Sequence, residues 1–116
     1  MTRNQTRRPQ APETTDPRSL DRNAFALILT RLGRRDHTEA ELRRALARKG
    51  FREPAVESAI HRARGEGLVD DARLAGAVAR LTARSGKRGP RRLVATLRRK
   101  GVSTEIARAA AKEAFA

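Results

Sequence analysis

The chain has 116 residues, with 27 Lys or Arg against 13 Asp or Glu, for a formal net charge of +14. That length admits one ordinary domain or a short repeat array, not two full enzyme domains. The lack of cysteine excludes disulfides, thiolate nucleophiles and cysteine-based zinc sites, and two histidines, His37 and His61, leave little for a metal centre or catalytic triad.

Met1 to Arg18 contains Pro9, Pro12 and Pro17 among Thr, Gln, Asn and Arg, with no apolar periodicity. Such a stretch has nothing to bury that would offset its ordering entropy, so residues 1–20 are expected to be a disordered arm. The first helix is expected from about Arg22 to Arg34, carrying Phe25, Leu27, Ile28, Leu29 and Leu32. Thr38-x-x-Glu41 is a capping-box pattern that opens a second helix, and Gly50 supplies a left-handed stop. Pro54 suits the first turn of a third helix, which fades at Gly65 and Gly67. Asp70 and Asp71 stand where acids favour the start of a fourth helix, running toward Arg84. Gly89-Pro90 begins a fifth, stopped by Gly101, and Ser103 or Thr104 caps a sixth that reaches the C-terminus. No stretch alternates with period two for long enough to predict a strand. The longest apolar run, Ala24 to Leu29, is far short of the roughly 20 residues of a membrane span. No apolar segment follows the basic N-terminus, so no secretory signal is expected.

The six helices fall into two copies of one unit. Leu42, Leu46, Lys49, Gly50 and Phe51 recur 51 positions later as Leu93, Leu97, Lys100, Gly101 and Val102, and Leu27 falls on Val78. The expected architecture is all-α: an elongated, curved array of two three-helix repeats, residues 21–69 and 70–116. Stacking would bury faces that one unit cannot cover.

Charge is distributed unevenly between the two copies. Residues 22–71 hold eleven basic and eight acidic residues, whereas residues 72–116 hold twelve basic and two acidic, a net +10. Projected at about 100° per residue, the fifth helix puts Leu93, Val94 and Leu97 on one arc and Arg88, Arg91, Arg92, Arg98 and Arg99 nearly opposite. No acid interrupts residues 72–104. The second helix repeats this more weakly, with Leu42, Ala45 and Leu46 inward and Arg43, Arg44 and Arg48 outward. A solvated charged face is the bland explanation for both, and it serves better for the second helix. A helix-turn-helix base reader fits poorly, because Glu53, Glu57 and Glu66 lie on the would-be recognition helix. All three Phe sit at core-like positions, which leaves no aromatic platform for single strands. Contact with nucleic acid would therefore be directed at the backbone, salt-sensitive and sequence-tolerant. Asp70-Asp71 reads as a helix cap rather than a carboxylate pair, His37 and His61 read as ordinary polar residues, and no catalytic constellation is found.

Three blocks carry a family resemblance. They are His37-Thr38 with Glu41-Leu42-Arg43 and Leu46-Ala47-Arg48-Lys49-Gly50-Phe51; Gly67-Leu68-Val69-Asp70-Asp71-Ala72-Arg73-Leu74-Ala75; and Gly89-Pro90-Arg91-Arg92-Leu93 with Leu97-Arg98-Arg99-Lys100-Gly101-Val102. In order and spacing the chain resembles the RecX family, bacterial regulators of the RecA recombinase, over about Asn23 to Ala114. The resemblance implies tandem three-helix repeats in the groove of the RecA–DNA filament, and inhibition of ATP hydrolysis and strand exchange. Two departures stand out: family members typically carry three repeats where two are found here, and Leu74 stands where the family usually has Phe.

The expectation is thus a non-catalytic, monomeric, cytoplasmic regulator that needs no cofactor or metal and has no membrane partner. Its partners are the RecA filament and DNA backbone. Arg88, Arg91, Arg92, Arg98, Arg99 and Lys100 are expected to make the main contact, with Arg43, Arg44, Arg48 and Lys49 contributing secondarily. A small basic DNA-binding protein, transcriptional or architectural, is the rival reading, and an adaptor for an acidic protein is a third.

Overall fold

A computed structural model describes residues 17–116, which form six helices and, among the described residues, no strand. They are α1 (Pro17–Leu32), α2 (Glu39–Arg48), α3 (Glu53–Gly65), α4 (Asp71–Ser85), α5 (Pro90–Arg99) and α6 (Thr104–Ala114). The helix α1 starts five residues before the expected Arg22 and ends two before Arg34. Residues 17–20 thus belong to the helix rather than to the arm, and the rest of the expected arm, residues 1–16, lies outside the described residues. Proline tolerates a first helical turn, and Leu20, half-buried, stands one turn ahead of buried Ala24 on the same face.

Local signals set the other boundaries. Thr38 Oγ1 accepts a hydrogen bond from the Glu41 amide at 3.1 Å while the Glu41 carboxylate accepts from the Thr38 amide at 2.9 Å, completing the capping box. Asp70 accepts from the Arg73 amide at 3.1 Å to cap α4, and Ser103 accepts from the Ile106 amide at 3.2 Å to cap α6. The turns after α2 and α5 are built alike. Gly50 and Gly101 have φ of 94° and 99°, and the next amides, Phe51 and Val102, reach back to the Leu46 and Leu97 carbonyls at 3.2 and 3.0 Å. These are Schellman turns, which need a residue without a Cβ penalty at positive φ.

Each three-helix unit has its own core. Ala24, Phe25, Ile28, Leu42, Leu46, Val56, Ala59, Ile60, Ala63 and Val69 pack together in the first, with Phe51 against them. Ala75, Ala79, Leu93, Leu97, Val102, Ala107, Ala110 and Ala111 form the second, with Phe115 alongside. The leucine pair of each unit, Leu42 and Leu46 or Leu93 and Leu97, is at most 1% exposed. Two small cores side by side give an elongated body, 61 × 29 × 19 Å, with a radius of gyration of 17.3 Å. A compact domain of this length would have roughly 13 Å.

The units meet where α2 begins. Buried Thr38 donates its hydroxyl hydrogen to the Lys100 carbonyl at 2.6 Å while still accepting from the Glu41 amide, which uses both capacities of one hydroxyl. The Asp71 carboxylate accepts from the Glu39 amide at 3.0 Å. A Cβ on Gly101 would strike the Ala40 side chain, so close approach and positive φ both demand glycine there.

Candidate anion-binding face

The helix α5 starts against its own electrostatics. Gly89, its N-cap, offers no side-chain hydrogen bond, Pro90 occupies the first turn, and no acid follows. Arg91 and Arg92 instead place two cations beside the positive end of the helix dipole, where a charge of the favourable sign would contribute about 0.3–1 kcal/mol. Burial of Leu93 and Leu97 holds the helix in place despite this. A local choice that opposes the element carrying it is characteristic of a surface kept for binding.

Arg88, Arg91, Arg92, Arg98 and Arg99 are all exposed, and among the described residues none of them forms an ion pair. Arg88, Arg92 and Arg99, with Ala95 and Thr96, line an open groove of about 290 Å³. Arg99 Nη2 donates to Thr96 Oγ1 at 3.1 Å, which steadies its guanidinium at the rim. Arg91 and Arg98 lie outside the groove on the same helix. Lys100 is placed differently: it is half-buried at the junction, where its carbonyl takes the Thr38 hydroxyl and its charge bears on Glu41.

The corresponding face of α2 is neutralised at one of its three arginines, Arg43. Arg43 Nε and Nη2 donate to the two carboxylate oxygens of Glu57 at 2.7 and 3.0 Å, and Nη2 also reaches Glu39 at 3.3 Å. Arg64 makes a second two-pronged pair with Glu39 at 2.8 Å through both nitrogens. The fork geometry of arginine suits such pairs. The hydrogen bond from Arg64 holds the Glu39 carboxyl below its ordinary range, and that from Arg43 does the same to Glu57. Arg44 and Arg48 are exposed and Lys49 is half-buried, so only part of the expected α2 stripe faces solvent as free charge.

Asp70 and Asp71 diverge, one capping α4 and the other reaching α2, and burial pushes the Asp71 carboxyl above its ordinary range. His37 is buried with Nδ1 3.7 Å from Glu41; burial, then Arg35, lowers its pKa. His61 is exposed on α3. Among the described residues no group of three or more His, Asp or Glu side chains is placed to hold a metal ion, and no helix is long and apolar enough to cross a membrane. The junction contacts of Thr38 and Asp71 escaped the sequence reading, because a cap residue and an inter-repeat donor look the same along the chain.

These features define a class: tandem three-helix repeats presenting an acid-free arginine face. The description "RecX, first three-helix domain" fits residues 24–62 and "RecX, second three-helix domain" fits residues 70–110, and the chain belongs to the RecX family. It is 37% identical over 101 residues to regulatory protein RecX of Mycolicibacterium vanbaalenii, covering 82% of this chain and 55% of that one. To regulatory protein RecX of Xanthomonas oryzae pv. oryzae it is 43% identical over 79 residues, covering 68% and 49%. The fold also matches RecX from Lactobacillus salivarius, with a TM-score of 0.75 at 19% identity over 84% of this chain and 61% of that one. The chain spans about half the length of the curated relatives it matches.

Proposed function

We infer that the chain is a non-catalytic regulator of a RecA-type recombinase, acting in the cytoplasm as a monomer. It docks on the RecA–DNA filament and inhibits ATP hydrolysis and strand exchange. The observation that carries this reading is the arginine face of α5, exposed and without an ion pair among the described residues, held on a RecX scaffold. Arg88, Arg92 and Arg99 converge on one groove and would grip phosphate or carboxylate groups, with Arg91 and Arg98 widening the positive field along the helix. Arg44 and Arg48 contribute secondarily. Arg43, Lys49 and Lys100 contribute least, since Arg43 is already paired and the two lysines are half-buried.

The test uses the cognate recombinase assembled on single-stranded DNA with ATP. Titrating in the protein should inhibit ATP hydrolysis at substoichiometric ratios, and a charge-matched unfolded peptide should fail to do so. No inhibition, with tight binding to bare duplex DNA, would transfer the arginine face to the DNA-binding reading.

A further inference from the structure

The two repeats correspond residue for residue at the offset of 51, so each side chain of one has a counterpart in the other. In the first repeat Phe25 on α1 is 7% exposed and belongs to the same cluster as Ala59 and Ala63 of α3. The guanidinium carbon of Arg62 lies 3.8 Å from its ring centroid. The counterpart of Phe25 is Gly76 on α4, and the counterparts of Leu29, Ala59, Arg62 and Ala63 are Arg80, Ala110, Glu113 and Ala114. Those five second-repeat residues, Gly76, Arg80, Ala110, Glu113 and Ala114, together line an open cavity of about 340 Å³. The cavity stands where the first repeat keeps its phenyl ring.

We propose that this groove between α4 and α6 is a docking site for an aromatic side chain carried on an acidic segment of a partner protein. The first repeat supplies the template for the occupant: a benzyl group laid against small residues with a guanidinium over its face. Gly76, Ala110 and Ala114 provide the small walls; Glu113 stands where the template has its guanidinium, and the groove draws its cation instead from Arg80, at the position of Leu29. A Cβ built on Gly76 meets only the flexible end of Arg80, its Nη1 at 3.2 Å, so the backbone leaves room for the ring. Glu113 offers an acceptor at the mouth for a main-chain N–H of the segment.

Within its 116 residues the chain leaves no aromatic side chain to fill the groove. Its only aromatic residues are Phe25, Phe51 and Phe115, all packed against one of the two cores, and residues 1–16 contain none. A second copy is disfavoured by a net charge of +14 on each molecule, whereas the net +10 of residues 72–116 favours an acidic segment. The site lies on α4 and α6, apart from the arginine groove of α5, and is independent of which partner that groove meets.

The test is an amide chemical-shift titration of the isotope-labelled full chain with an acetylated, amidated Glu-Phe-Glu tripeptide at millimolar concentrations. Saturable shifts are expected at Gly76, Ala110 and Ala114, at least about tenfold weaker with Glu-Ala-Glu. Gly76→Phe fills the groove with the protein's own ring and should abolish the response while Tm stays level or rises, since glycine is a poor helix former. Gly76→Ala shares that helix gain but leaves the groove open, and should still respond. No shift at these amides, an equal response to Glu-Ala-Glu, or a response surviving in Gly76→Phe would overturn the proposal. A response to an oligo-dT strand in place of the peptide would make the groove a base seat, and concentration-dependent shifts without peptide would make it a self-association surface. Either of those results also overturns it.

Discussion

The two repeats share a backbone plan and differ in what they do with it. At the positions occupied by Phe25, Ile28, Val56 and Ile60 in the first, the second has Gly76, Ala79, Ala107 and Ala111. The first also pairs four of its arginines with carboxylates: Arg43 with Glu57 and Glu39, Arg64 with Glu39, Arg62 with Glu66, Arg35 with Glu41. Among the described residues the second has no such pair. The caps differ too, with Gly89 standing opposite Thr38 and Arg52 opposite Ser103, so what the two units share is the leucine pair and the Lys-Gly turn. Core volume and surface charge can diverge around them. The first repeat is built as the anchor and the second as the charged surface, held against the anchor through Thr38, Asp71 and Gly101.

The largest effect should come from the shared leucines. Leu46→Ala and Leu97→Ala each remove a fully buried side chain, at a cost of about 2–5 kcal/mol. The alanine-lined second core has less left to hold it, so Leu97→Ala should abolish amide-exchange protection across α4–α6 while α1–α3 remain protected. Leu46→Ala should weaken both units together, because the second leans on the first. Equal and local losses in the two variants would show that the repeats are energetically alike.

Next in size is the junction. Gly101→Ala combines an unfavourable positive φ with a clash against Ala40, and should cost more than the roughly 1 kcal/mol typical of a left-handed alanine. A chemical-denaturation curve that becomes two-step would locate that loss between the repeats.

The smallest effect is that of pH, and it should fall on the first repeat. Burial lowers the His37 pKa, so the unfolded chain takes up its proton first and stability declines as pH drops below about 6.5. Glu39, Glu41 and Glu57 also titrate below their ordinary value of 4.5: Arg64 acts on Glu39, the Thr38 amide and Arg35 outweigh burial at Glu41, and Arg43 acts on Glu57. Their contribution is present above that value and is lost as pH falls through the lowered ones. Asp71 has the opposite sign, since its raised pKa means that ionisation costs stability as pH rises through it. Three carboxylates against one leave a net loss in acid, measurable as a falling Tm between pH 7 and pH 3 with α1–α3 resonances broadening first.

Most of the fold was legible because its signals are short-range. Thr38-x-x-Glu41, Asp70, Ser103 and the two Lys-Gly turns each act within five residues, and the leucine spacing fixes which face is buried. The arginine stripe of α5 was legible for a different reason, the lack of any acid across residues 72–104. What could not be read depends on partners distant in sequence. Arg43 looks as free as Arg92 until α3 folds back and brings Glu57, 14 residues away, to 2.7 Å. Lys100 looks like part of the stripe until Thr38, 62 residues earlier, fixes its carbonyl at the junction. The start of α1 at Pro17 was missed because the prolines before it speak for an irregular arm, while the single apolar residue ahead of Ala24 carries no period.

The division of labour between the repeats is tested most directly by matched charge reversals. Arg92→Glu with Arg99→Glu and Arg44→Glu with Arg48→Glu each change two exposed arginines on corresponding helices and alter the net charge equally. Affinity for the recombinase filament would be measured across a range of salt, with circular dichroism confirming unchanged helicity. The account predicts that the α5 pair loses about tenfold or more in affinity and most of the salt dependence, and that the α2 pair loses only a few-fold. Equal losses from the two pairs, or a larger loss from α2, would contradict it.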